Sequence, residues 1–263
     1  MFTKRSFTLL AAGCVLSTVA ATASAAPELV TFNISSGSLV LGGNFGGNSP
    51  SPQPGTTFSV GYSGTIAAEV DSVAHTIRFR GGSTIAAGLQ PANVEPRNDF
   101  TPGFQPGNYG RSGTVDFAGN PLDGAEAIRG LVLDVENADT GATIPYSPST
   151  GQFSNSSTGI LIDAGRADYR VGGILFNQAD LFGPGFASNG ALTPSTLISD
   201  GVTETLTLRI QSGALTHTVV QANDSSVTFT GTLTATRAIP EPASIGMCAL
   251  GAIGVLARRR RRD

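Results

Sequence analysis

The stretch VTETLTLRIQ, residues 202–211, alternates apolar and polar side chains with a period of two. Val202, Leu206, Leu208 and Ile210 fall on one side, with Glu204 as the exception, and Thr203, Thr205, Thr207 and Arg209 fall on the other. Successive side chains of an extended chain point to opposite faces, so this pattern needs a strand with one dry face and one wet face, the habit of antiparallel sheets. SVTFTGTLTATR, residues 226–237, repeats it: Val227, Phe229, Leu233 and Ala235 point one way, and five threonines from Thr228 to Thr236 point the other. Threonine is β-branched and polar, which suits a pleated surface facing water.

The same period recurs in LVTFNIS, TFSVGYSGTIAAEVD, HTIRFRG, GTVDFAG, AIRGLVLDVEN, TGILIDAG, DYRVGGILF and LTHTVVQA. These runs are short and bounded by Gly, Pro, Asn, Asp and Ser, which punctuate turns. Helical periodicity is nearly absent, and 34 glycines and 15 prolines are too many breakers for a helical fold. About ten such strands predict an all-β chain, with one antiparallel β-sandwich or jelly-roll-like domain over residues 26–238. Two segments, 41–55 and 95–113, read as long loops, which are uncommon and often carry function.

The domain's chemistry is sparse. The only cysteines, Cys14 and Cys248, lie outside it, so it holds no disulfide, thiol nucleophile or cysteine metal site. It carries nine arginines against seventeen acidic residues, a net charge of −8, which repels nucleic acid. No G-x-S-x-G motif is present; GYSG around Ser63 is one residue short. The acidic residues are too scattered for sequence to select a catalytic pair, so no enzyme activity and no cofactor are expected. The two histidines, His75 and His217, share parity with apolar neighbours and are expected at the margin of the core. DVENADTG brings Asp134, Glu136 and Asp139 together at a strand end, where hard oxygen ligands suit Ca²⁺ but lack EF-hand spacing; a solvated turn is the plainer reading. Sugar-stacking platforms are few, since Trp is absent; Tyr109, in the second long loop, is the best ligand-binding candidate, against a plainer reading as a core or turn tyrosine.

Both ends of the chain concern delivery. Lys4 and Arg5 precede an apolar stretch that ends in Ala23-Ser24-Ala25, which predicts a signal helix over residues 1–25, cut by signal peptidase between Ala25 and Ala26. Cys14 offers a lipoprotein alternative, but Ala11 stands where a large aliphatic residue belongs and the apolar run continues past the cysteine. Residues 239–263 hold Pro240, Glu241 and Pro242, then Ala243 to Ala257 without a charge, then Arg258, Arg259, Arg260, Arg261 and Arg262. As a helix the apolar run spans about 22 Å, against about 30 Å of bilayer core, a short transmembrane anchor. Each arginine costs about 2.5–3.5 kcal/mol at the bilayer centre, so the cluster stops translocation and leaves the domain outside the cell.

This three-part tail resembles the PEP-CTERM sorting signal of Gram-negative bacteria. The resemblance implies an exported protein held briefly in the inner membrane, processed by a membrane-embedded exosortase, and delivered to the cell surface or the extracellular matrix. It also implies an association with exopolysaccharide. A structural or adhesive role is the leading expectation; a carbohydrate-binding module for the cell's own polysaccharide and a secreted hydrolase are the alternatives.

Overall fold

A computed structural model describes residues 26–91, 94–96, 106–173, 175–181, 183 and 185–239. Those residues form sixteen strands and no helix. The first eight are β1 (Glu28–Asn44), β2 (Ser51–Pro52), β3 (Ser59–Asp71), β4 (Thr76–Arg78), β5 (Thr84–Ala87), β6 (Gly107–Phe117), β7 (Asn120–Asn137) and β8 (Ile144–Pro145). The rest are β9 (Gln152–Phe153), β10 (Thr158–Val171), β11 (Leu175–Asp180), β12 (Ala187–Ser188), β13 (Ser195–Ser199), β14 (Thr203–Gln211), β15 (Leu215–His217) and β16 (Ser225–Ala238). The expected signal helix and membrane helix lie outside the described residues. Among the described residues no helix is long and apolar enough to cross a membrane.

The all-β, antiparallel expectation holds, and the arrangement is one continuous sheet in the order β11-β10-β7-β5-β3-β1-β16-β14-β13-β9. The sheet folds back on itself. On a flat sheet, β7 and β16 would lie four strand spacings apart, about 19 Å. Yet His217, on the β15 strand that pairs with β16, sits 2.6 Å from Glu126 of β7. Isolated bridges lace the ends together: Tyr146 with Phe153 joins the β8 side to β9, and Asn189 with Ser212 joins the β12 side to the end of β14. Several expected boundaries move. β1 runs through Asn44 into the first expected loop, Tyr109 lies inside β6, and a single β10 spans two expected strands.

The alternation dictates the core. In β14 Glu204, Leu206, Leu208 and Ile210 are buried, and the threonines between them are half-exposed. In β16 Val227, Phe229, Leu233 and Ala235 are buried on the same side. These residues join Phe32, Leu39, Ile66, Phe79, Leu133 and Ile160 in one large cluster between the two halves of the sheet. Fully burying each such side chain stabilises the fold by about 1.5–3 kcal/mol. A smaller cluster of Phe45, Val115, Tyr169, Val171 and Val219 closes one end.

The outer face is different in kind. The ladder places Ile198, Thr205, Thr236, Asn33, Thr65 and Thr84 side by side across six strands. Thr196, Thr207, Thr234 and Ser36 form the adjacent row. Arg209, Thr232, Ser38 and Gly61 form a third, in which Arg209 is the only charge.

Candidate functional site

The last strand delivers the chain to its tail. β16 ends at Ala238, and the backbone N–H of Ile239 donates to Val202 O at 2.7 Å, which fixes the point of exit. Beside that exit lies a groove of about 480 Å³, lined by Ala26 and Ile239 at the two ends of the domain and by His75, Tyr146, Ser149 and Glu204 between them. The His75 and Tyr146 rings meet edge to face at 5.5 Å. Arg237 pairs with Glu204 at 2.6 Å and with Glu28 at 3.1 Å. That pairing explains how Glu204 occupies an apolar stripe: a buried carboxylate is retained when a cation lies against it. The turn that forms one wall depends on Gly151. Its φ is +70°, and a Cβ there would run into Leu197 O. Residues 240–242 and the arginine run lie outside the described residues, as does Ala25; Ala26 is exposed.

Two buried ionic clusters flank β7. On its inner side Arg111, Glu126 and His217 meet. Arg111 NH2 lies 2.5 Å from Glu126 Oε2, and His217 Nε2 lies 2.6 Å from Glu126 Oε1. The Arg111 guanidinium also donates to Asn44 O at 2.7 Å and to Ser226 O at 3.0 Å, and it stacks over Phe45 at 5.2 Å. Burial alone pushes the Glu126 carboxyl up. Arg111 and His217 outweigh it and hold the group down at about 2. On the outer side Arg129 Nε donates to Asp168 Oδ2 at 2.9 Å, and Arg166 Nε lies 2.8 Å from Asp168 Oδ1. This face is covered by the segment around Val94 and Pro96, whose carbonyls accept from Arg129. Sequence reasoning missed both clusters. A signal was available: Glu126 shares parity with Ile128 on an apolar stripe, as Glu204 does with Leu206. A carboxylate in such a place demands a cation beside it, and in both cases an arginine on the adjacent strand supplies it.

The residues singled out from sequence are dispersed. Tyr109 is fully buried; its hydroxyl lies 2.7 Å from Tyr62 Oη and donates to Leu39 O at 3.1 Å. The loop placement and the sugar-platform candidacy are corrected, because β6 starts at Gly107 and the ring lies in the core, the plainer of the two readings. The Asp134 carboxylate accepts from the backbone N–H of Gly82, Ser83 and Val135. Asp139 accepts from Gly141 N at 3.0 Å and closes its own turn. Glu136 is half-exposed beside Gly81. Among the described residues no three His, Cys, Asp or Glu side chains group in a way that can hold a metal ion. His217 is a core histidine whose Nδ1 has no partner among the described residues, and His75 sits half-buried in the groove wall.

Residues 238–262 match the family model of the PEP-CTERM protein-sorting motif. The chain therefore carries that motif, which begins on the last residue of β16 and implies an exported protein sorted by an exosortase. Searches of the curated proteins and of the solved structures gave no match for this chain.

Proposed function

We propose that this protein is a non-enzymatic structural or adhesive component of the cell surface or extracellular matrix, with a sandwich-like scaffold that contacts exopolysaccharide through its outer face. Its route is export through the N-terminal signal, signal-peptidase cleavage before Ala26, brief retention by residues 243–257, and release by an exosortase. The observation that carries the polysaccharide reading is the outer face of β14, β16 and β1. There three neighbouring rows present hydroxyl and amide side chains with a single charge, Arg209, on a domain whose net charge is −8. Such a face exchanges hydrogen bonds with a neutral or anionic glycan without desolvating carboxylates. Tyr109 has no part in this reading, because its ring is enclosed.

The test is retention of the mature domain on polysaccharide from the producing cell. Placing glutamate at Thr207 and Thr234 is expected to abolish retention and leave thermal unfolding within a few degrees of the parent. Equal retention of both proteins contradicts the reading.

A further inference from the structure

We propose that Arg209 is an acid-reading subsite on the outer face, where its guanidinium takes the carboxylate of an acidic sugar in the bound polysaccharide. The inference rests on the polysaccharide reading above and names the class of glycan. Its first support is an unanswered cation. Arg209 is half-buried in β14, and among the described residues its side chain has no ion pair and no hydrogen bond. Its Nε is enclosed without a partner, whereas the two terminal nitrogens, equally unpartnered, stay open to the surface. A guanidinium partly out of water attracts an anion with less screening than a fully exposed one. The fork of its terminal nitrogens matches the two oxygens of a carboxylate.

The second support is local charge. The domain's net −8 is carried elsewhere: the outward positions within 203–211 of β14, 228–236 of β16 and 36–42 of β1 hold no carboxylate. Around Arg209 the face is therefore positive, which favours an anionic partner. The third is a fixed frame. The Arg209 backbone N–H donates to Ser195 Oγ at 2.9 Å, and its carbonyl accepts from Asn189 Nδ2 at 2.8 Å. Asn189 Oδ1 also accepts from the N–H of Gln211 at 3.0 Å, so the strand that carries the cation is held from both sides. The ladder sets Thr232 beside Arg209 and Thr234 beside Thr207. Among the described residues the hydroxyls of these three threonines bond to no other protein group, so sugar hydroxyls around a bound carboxylate meet both donors and acceptors.

The test uses the exported protein and polysaccharide from the producing cell, intact and after chemical reduction of its carboxyl groups to alcohols. The parent is expected to bind the intact polymer about tenfold more tightly than the reduced one, a preference that fades as salt rises. Arg209→Gln is expected to bind both polymers as the parent binds the reduced one, which also shows that the variant is folded. Arg170→Gln removes an exposed arginine of β10 that likewise has no carboxylate partner among the described residues, and it is expected to keep the preference. Equal binding of the two polymers by the parent leaves the outer-face reading standing and overturns the acid subsite. A preference that survives Arg209→Gln, or that Arg170→Gln removes equally, also overturns it. If the parent binds neither polymer, both readings fall.

Discussion

The arginines of the domain and those of the tail stand in opposite surroundings along the sequence. Within the domain Arg78, Arg80, Arg111, Arg129, Arg166 and Arg237 each lie against a carboxylate. Arg111 is fully enclosed, and Glu126, two backbone carbonyls and the Phe45 ring replace its water. In the tail Arg258 to Arg262 follow one another with no acidic residue before Asp263. The paired guanidinium groups tie neighbouring strands together, whereas a block of arginines with no carboxylate among them is expected to resist entry into a membrane. What arginine does in this chain is decided by the carboxylates that its neighbours supply.

The comparison breaks first at Glu126. Glu126→Ala leaves Arg111 buried without its counter-charge and is expected to cost about 3–5 kcal/mol in urea unfolding of the mature domain. Replacing the trio together, Arg111→Met with Glu126→Leu and His217→Leu, is expected to cost far less, because no orphaned charge remains. The same carboxylate has a signature in acid. Its folded value is about 2 against an ordinary 4.5, so its contribution is complete above the ordinary value. It drains away as pH falls from about 4.5 towards about 2. Unfolding measured across that window is expected to show a loss that Glu126→Gln removes. An uncharged core position sets the scale: Leu233→Ala is expected to cost roughly 2–5 kcal/mol. Gly151→Ala forces a side chain into a left-handed backbone against Leu197 and is expected to cost roughly 1–3 kcal/mol. At the outer face Thr232→Val is expected to shift stability by less than about 0.5 kcal/mol, because its hydroxyl is not part of the core.

The strands were legible where one face is wet. β14 and β16 read directly from their period of two, and so did their core residues. β6 was read only in its second half, as GTVDFAG; its first half was missed because Gly107 and Gly110 look like turn residues while serving close packing, and a Cβ on either would press into Val94. Tyr109 was misplaced for the same reason. The continuous sheet was illegible as well: the closing contacts Tyr146–Phe153 and Asn189–Ser212 join residues whose pairing no local pattern records. The ionic lock on Glu126 was half legible. Parity places the carboxylate inside and Arg111 faces it directly across the β6–β7 hairpin, but His217 comes from β15, far away in sequence. The sorting motif was wholly legible, because it acts through local chemistry: two prolines, an apolar run and a block of charge.

The most direct test of the account is the intact mass of the protein recovered from outside its own cells. Delivery by the tail predicts a chain that starts at Ala26 and has lost Arg258 to Arg262. A surface protein that still carries all five arginines contradicts it.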